Sequence, residues 1–323
     1  MKAINIKDAG KQARLDIGTA ERPIPAQDEV LIKVTAAGIN RADLLQKRGL
    51  YPVPKGASNI LGLEVSGIVA ETNTPHLKIG DQVCALVSGG GYAEYCTAHA
   101  AHCLPVPDNI ALSDAAALPE AVFTVWQNIF HKAKLKSGDT LLIHGGSSGI
   151  GTMAIQMAKY KGAHVIVTAG TDEKCAACLD LGADHAINYK QEVFEKRAAD
   201  ITQGNGVDII LDMVGGDYTG RNIKALGFNG RLMNIAFMGG RTSEIDMAQL
   251  LTKNIALHGT TLRAQSDDTK ALFATEIKEQ IWPAIADGTI SPVIDRTFPL
   301  ADAEKAHQHM ERGQNIGKIL LAV

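Results

Sequence analysis

A chain of 323 residues with 46% apolar and 21% charged side chains has the composition of folded globular material and the length of two domains. Its formal net charge of −3 leaves no basic field for nucleic acid, no apolar run approaches the ~18 residues that span a membrane, and the opening MKAINIKDAG lacks the apolar core of a secretory signal. The five cysteines, at 84, 96, 103, 175 and 178, are unevenly spaced and read as reduced thiols of a cytoplasmic protein.

The first ~120 residues are strand-and-turn material, with short runs at 29–40, 61–72, 81–87 and 92–98 punctuated by Gly and Pro, a texture that suggests a small barrel or sandwich. Ser113 offers an N-cap for a helix running to about Lys134. From Thr140 the texture alternates. Strand-like runs at 140–144, 165–168, 185–188, 207–214 and 231–236 are separated by helical ones. In the first of these helices Met153, Ala154, Met157 and Ala158 follow Ile150 at spacings of three and four, forming one apolar stripe, and Gly162 closes it as a C′ residue. His144, at the end of the first strand, reads as a packed residue. Short strand–helix–strand repeats mark a parallel sheet covered on both faces. Beyond about Leu262 the chain is mixed again, with a helix near 268–285, a turn at Asp287-Gly288, an amphipathic helix near 301–312 and a closing strand over 317–323. The fold class is therefore α/β. A Rossmann-type doubly wound parallel sheet occupies residues 121–261, preceded by the mostly β residues 1–120 and followed by the mixed tail 262–323.

The stretch LIHGGSSGIGTMAIQMAKYKGAHVIVTAGTDEK, residues 142–174, sets a glycine-serine loop between the first strand and its helix. Backbone N–H groups at a helix N-terminus, together with the helix dipole, favour a diphosphate. Gly145, Gly146, Gly149 and Gly151 give the room such an approach needs, Ser147 and Ser148 add hydroxyl donors, and Ile150 lies in the first turn. No glycine series here has the G-x-G-x-x-G spacing, so the strand–loop–helix–strand setting carries the dinucleotide reading against a ligand-free turn. The second strand ends at Ala169-Gly170-Thr171, where NAD-specific sites carry an acid for the ribose 2′-hydroxyl. Its absence removes a charge that would repel a 2′-phosphate. Lys174 either neutralises that phosphate or is a solvated lysine of the helix face, and Tyr189 could donate a hydroxyl. The expectation is NADPH over NADH, with the charges of Asp172 and Glu173 close by as the complication.

Two dehydrogenase classes use loops of this kind. GGSSGIG resembles that of short-chain dehydrogenases, but those place it near the N-terminus and follow it with Tyr-x-x-x-Lys. The only such spacing here, Tyr51-Pro-Val-Pro-Lys55, lies upstream and is broken by two prolines. End to end, the chain instead resembles the medium-chain dehydrogenase/reductase superfamily, and within it the zinc-free quinone oxidoreductases. The carriers are GINRADLLQKRGLYP (38–52), ILGLEVSG (60–67), KIGDQV (78–83), AALPEAVFTVW (116–126), the loop itself, LGADHAINY (181–189), GVDIILDMVGG (206–216) and NIGKILL (315–321). Ser148 stands where the family loop usually has glycine, which is similar to the NADPH:quinone reductases of the stress-inducible type. The resemblance implies a GroES-like barrel domain assembled from 1–120 and 262–323, NADPH as cofactor, a quinone or other activated carbonyl as substrate, and a homodimer.

The positions matching the family's catalytic zinc ligands hold Asn40, Leu63 and Glu120, which do not make a tetrahedral site, and the four closely spaced cysteines of the structural zinc lobe are missing. No metal is expected. Cys175 and Cys178 form a lone C-x-x-C, read as structural thiols ahead of metal or redox use. Without a Lewis acid, alcohol oxidation loses its alkoxide stabiliser, whereas a quinone accepts hydride readily and asks chiefly for orientation and exclusion of water. By resemblance Asn40, Asp43 and Tyr51 line the substrate cleft. Tyr51 either donates to the developing oxyanion or only packs on the cofactor, and Asn40 and Asp43 either act in the cleft or stabilise their loop. Glu64 is expected to be structural. The resemblance assigns further cofactor contacts to Gly215, to Phe237, Met238 and Gly239, to Thr261, Leu262 and Arg263, and to Asn315, with Arg263 open to being a solvated surface residue. Enone or alkenal reduction by the same hydride step, or a crystallin-like NADPH-binding role with little turnover, are the alternatives.

Overall fold

The computed structural model describes residues 1–8, 10 and 12–323, which form two compact units: Met1–Phe123 with Arg263–Val323, and Thr124–Leu262.

The first unit is built on a seven-stranded mixed sheet and a two-stranded one. Its spine is Glu29–Gly38, buried on both faces for most of its ten residues, which is why the run reads as nearly continuous Val, Ile, Leu and Ala. Glu64–Thr72 pairs antiparallel along one side of it, followed by Gln82–Leu86 and Cys103–Pro105. Along the other side Tyr95–His99 covers residues 29–33, and the C-terminal strand Lys318–Ala322 covers 36–38. Ile294–Pro299 adds a parallel edge. One face packs Val30, Ile32, Val65 and Val83 into the main core. On another, Ala36 and Leu320 meet Ala116 and Ala117, small enough to bring the 3-10 turn Asp114–Ala117 against the sheet. Lys2–Lys7 and Arg14–Thr19 form the separate hairpin, which the sequence reading missed.

The second unit is a six-stranded all-parallel sheet in the order His185–Asn188, His164–Ala169, Thr140–His144, Val207–Asp212, Leu226–Asn234, Ala256–Gly259. Chain order along the sheet reverses between Thr140–His144 and Val207–Asp212, the switch point at which doubly wound sheets bind ligands. Met153, Ala154, Met157 and Ala158 are buried as the stripe requires, and Gly162 takes a left-handed φ of 79° past the helix end. His144 is fully buried. Its Nε2–H donates to Asn222 Oδ1 at 2.7 Å, and Nδ1 lies 3.0 Å from the Thr168 hydroxyl, the packed role expected of it.

Three helical expectations need correcting. Ser113 is itself helical in φ and ψ and does not cap; its hydroxyl donates to Asp114 at 3.0 Å instead. The helix expected to run on to Lys134 is a 3-10 turn, the α-helix Pro119–Val125 and a wider π-helical stretch Trp126–Lys132, because proline opens a new helix at its first position. The helix near 268–285 is two, Asp267–Gln280 and Trp282–Ala286, broken at Ile281 two residues before Pro283. Among the described residues no helix is long and apolar enough to cross a membrane.

Candidate functional site

In the second unit the loop after Thr140–His144 turns into the twelve-residue helix Gly149–Tyr160. Ser148 caps it: its hydroxyl oxygen accepts the Gly151 N–H at 3.0 Å. That use of Ser148 was not foreseen. Within the loop the Gly146 N–H goes to Thr168 O and the Ser148 N–H to Gly145 O. The Gly149 and Ile150 N–H groups, at the positive end of the helix, have no such partner among the described residues. Gly146 has no space for a side chain, since a Cβ would lie 2.7 Å from Val167 Cβ and 3.0 Å from Cys178 Sγ. Cys178 is thus a packing residue under the loop, and both thiols of the C-x-x-C are free and buried. Ser147 is buried beside them.

At the end of His164–Ala169, Gly170 lies beneath the Tyr189 ring, and a Cβ on Gly170 would sit 2.6 Å from the Tyr189 hydroxyl oxygen. Thr171 caps the helix Asp172–Asp180 by accepting the Lys174 N–H at 3.2 Å. The Asp172 carboxylate, flagged above as a complication, is occupied: Asn188 donates to it at 2.6 Å and Gln191 at 3.2 Å, and these bonds hold its pKa below the usual range. After Val207–Asp212 the chain turns through Gly215 and Gly216 at φ of 63° and 52°. Asp212, which the sequence reading did not single out, governs that turn. Its carboxylate accepts the Val214 N–H at 2.6 Å, the Gly215 N–H and the Asn234 amide. Gly239 N–H then bonds Val214 O at 2.6 Å, so Gly215 and the exposed Phe237, Met238 and Gly239 form one cluster at the carboxyl ends of two neighbouring strands.

In the first unit the structure brings Asn40, Asp43, Tyr51 and Arg263 into one network. Asn40 precedes the short helix Arg41–Lys47 and donates its N–H to Asp43 Oδ2 at 2.8 Å. Its side-chain amide donates to Glu64 Oε1 at 2.9 Å, and its oxygen accepts from Lys318 Nζ at 2.8 Å. Lys318 also pairs with Glu64, whose other oxygen accepts the Glu120 N–H at 2.8 Å. This ion pair is fully buried. Removing one partner of such a pair typically costs about 3–5 kcal/mol. Glu64 is therefore structural, as expected, while Lys318 was missed because nothing in NIGKILL marks its partner 254 positions earlier.

Asp43 is fully buried and accepts the Gly62 N–H at 3.1 Å and the Tyr92 hydroxyl at 3.1 Å. Burial raises its pKa to about 6, against these hydrogen bonds. Burial and the charge of Glu64 raise Glu120 to about 8. Tyr51 is half-buried, and burial followed by Glu120 pushes its phenol up. Arg263 is buried rather than solvated. Its guanidinium lies 5.4 Å from the Tyr51 ring centre and donates to Ser88 O at 2.6 Å and to Gln46 Oε1 at 2.7 Å. Leu262 is buried and Thr261 is exposed. Asn315 stands apart, its amide donating to Gly317 O at 2.9 Å. Leu63 is buried, and among the described residues no three or more His, Cys, Asp and Glu side chains are grouped to hold a metal.

Residues 26–108 match the alcohol dehydrogenase GroES-like domain family, and residues 149–278 match the zinc-binding dehydrogenase family. Quinone oxidoreductase-like protein 2 of Bos taurus is 30% identical over 305 residues, covering 93% of this chain and 87% of that one. The Escherichia coli quinone oxidoreductase complexed with NADPH superimposes over 100% of both chains with a TM-score of 0.89 at 29% identity. A mycobacterial protein also solved in complex with NADPH does so over 100% of both chains at 0.88 and 28%.

Proposed function

Since the chain belongs to the medium-chain dehydrogenase/reductase superfamily, among its quinone oxidoreductase-like members, we propose that it is an NADPH-dependent quinone oxidoreductase working without a metal. The observation that carries this reading is the full-length likeness to the E. coli quinone oxidoreductase complexed with NADPH. The residues fit that cofactor. The N–H groups of Gly149 and Ile150, at the start of their helix, would donate to a diphosphate oxygen, with the Ser147 and Ser148 hydroxyls as further donors. Gly170 leaves the end of the second strand free of charge, the Tyr189 hydroxyl lies against it, and Tyr189, Thr171 and Lys174 would hold a 2′-phosphate there. Gly215, Phe237, Met238 and Gly239 flank the strand ends. Thr261 and Leu262 would add contacts within the same unit; in the first unit Arg263 is a brace held by Gln46 and Ser88, and Asn315 bonds Gly317 O.

When bound, reduced nicotinamide supplies a hydride. The chain's own residues orient the acceptor and manage its proton. Asn40 and Asp43 hold the loop that presents Tyr51, and the Tyr51 phenol donates a hydrogen bond to the carbonyl oxygen as negative charge develops there. Its raised pKa keeps the phenol protonated at neutral pH. Asn40 has both polar atoms of its side chain engaged by Glu64 and Lys318, so its role is to fix the loop. The cytoplasm is the proposed compartment. The homodimer forms through the Ala256–Gly259 edge of the parallel sheet, which pairs on one side only and leaves Leu257 exposed.

The test is a cofactor titration followed by turnover. NADPH is expected to bind at least tenfold more tightly than NADH, since a favourable or repulsive charge at the 2′ position is worth about 1–2 kcal/mol. A panel of ortho- and para-quinones should then oxidise NADPH with no added metal and in the presence of a chelator. Enones and alkenals in the same assay separate the alkene-reducing alternative, and tight NADPH binding without any turnover would leave only a binding protein. Chelator-sensitive turnover would end the metal-free account.

A further inference from the structure

The Asp43 carboxylate is held by a residue far from it in the chain. Tyr92 is fully buried, and its hydroxyl lies 3.1 Å from Asp43 Oδ2 and 3.2 Å from His307 Nε2. The tyrosine and histidine rings meet edge to face at 5.8 Å. His307 sits on the amphipathic helix Ala303–Arg312, is itself fully buried, and has an Nδ1 with no hydrogen-bond partner among the described residues.

Proton counting decides how this chain of three is wired. A phenol has one proton and can give it to one neighbour. Asp43 already accepts the Asn40 and Gly62 N–H groups, an arrangement that suits a carboxylate, so the phenol proton goes to Asp43. Nε2 must then be the donor to the phenol oxygen. A neutral imidazole has one N–H, so Nδ1 is left bare, as an unpartnered acceptor. That matches the orphaned Nδ1, and a buried acceptor without a partner is the more tolerable kind of orphan.

We propose that His307 is a positioning residue for the Asn40–Asp43 loop: a neutral imidazole protonated on Nε2 that aims the single Tyr92 proton at Asp43 and so holds the carboxylate that ties residues 40 and 62 together. The opposite tautomer would face the phenol oxygen with a bare nitrogen, draw the phenol proton toward itself and leave Asp43 without its third donor. Burial and the charge of Lys47 keep His307 neutral, with a pKa near 3, and Glu304 acts in the opposite sense. Lys318 faces Asp43, Glu64 faces Tyr92, and Asp43 in turn raises both Glu120 and Tyr51. A change in the orientation of one tyrosine proton therefore reaches the groups proposed to meet the substrate.

The role builds on the quinone-reductase reading, but its first test does not need turnover. Long-range 15N–1H correlation spectra of the histidine-labelled chain, with His307 assigned through His307→Gln, should show the neutral Nε2–H tautomer between pH 5 and 8. Carbon-detected titration of the aspartates should place the Asp43 midpoint higher by on the order of one unit in Tyr92→Phe and His307→Leu, because a hydrogen bond to the charged form is lost. His307→Gln offers an amide N–H in place of Nε2–H and should keep the wild-type midpoint. In steady state, kcat/KM for NADPH-dependent quinone reduction should fall on the order of tenfold in Tyr92→Phe and in His307→Leu, no further in the double variant, and recover in His307→Gln. An Nδ1–H tautomer in the wild-type protein overturns the proposal, as do unchanged midpoints in both variants or fully additive losses. Absence of quinone turnover in the wild type would instead remove the functional reading and leave the tautomer and the Asp43 midpoint still measurable.

Discussion

The position with the sharpest consequence for cofactor choice is Gly170. With the Tyr189 hydroxyl 2.6 Å from where a Cβ would be, two effects exclude an aspartate there: the ring must move, and a carboxylate then stands where a 2′-phosphate is proposed to bind. Gly170→Asp should therefore weaken NADPH binding by on the order of a hundredfold more than it weakens NADH binding, since like charges at close range in a partly shielded site repel by a few kcal/mol. Gly170→Ala, which displaces Tyr189 without adding charge, should shift the NADPH-to-NADH ratio far less than the aspartate does. Dissociation constants from fluorescence titration check this, and an unchanged NADPH-to-NADH ratio in the aspartate variant refutes the assignment. The meeting of Gly170 and Tyr189 could be read from sequence because one ends His164–Ala169 and the other follows His185–Asn188, consecutive strands that pair side by side. Tyr92 and His307 could not, being 215 positions apart with no periodicity linking them. The same holds for Arg263, whose partners Gln46 and Ser88 turn an apparent surface residue into a buried brace.

Elements with a strong period were legible, and weak ones were not. Thr140–His144 and His185–Asn188 fall where the sequence put them, because apolar runs bounded by turn residues leave little freedom. Ala256–Gly259 went unseen: it has four residues, three of them exposed. Its exposure has a use. The strand pairs with Leu226–Asn234 on one side, Leu257 is 42% exposed, and the preceding helix Met247–Thr252 buries none of its residues, with Leu251 at 77%. An edge of this kind invites a second copy. Size-exclusion chromatography with light scattering should find a dimer at micromolar concentration, and Leu257→Asp together with Leu251→Asp should give a monomer that remains folded by circular dichroism. A monomeric wild-type protein would show that the edge is simply solvated.

For the molecule as a whole, the buried titratable groups set how stability varies with pH. Stability rises with pH where the unfolded chain holds more protons than the folded one, and falls where it holds fewer. Folding lowers three histidines from 6.5, His307 to about 3, His102 to about 4 and His144 through its burial, so up to about 6.5 each favours the folded state as pH rises. Folding raises Asp43 from 3.8 to about 6 and Glu120 from 4.5 to about 8, so each works against the folded state over its own window. From about 4.5 to 6 the three histidines oppose the two carboxyls, and stability should rise only shallowly with pH. Above 6.5 the histidines are neutral in both states and Asp43 is ionised in both, which leaves Glu120 alone: protonated in the fold, ionised in the open chain. Stability should decline from pH 6.5 to 8. A fully coupled proton is worth about 1.4 kcal/mol per pH unit, and the solvent access that Glu120 keeps reduces the loss over this range to about 1 kcal/mol, or about 2–3 °C in Tm. Glu120→Gln removes the group that titrates while retaining its shape, so the variant should match the wild type at pH 5 and exceed it at pH 8. Thermal unfolding at half-unit intervals checks this, stopping at pH 8 because the buried thiols Cys96 and Cys103, both pushed up to about 12, add their own alkaline loss above it. A wild-type Tm that stays level from 6.5 to 8 would mean that Glu120 ionises in the fold much as it does in water, and that the carboxyl cluster around Glu64 is more hydrated than its packing implies.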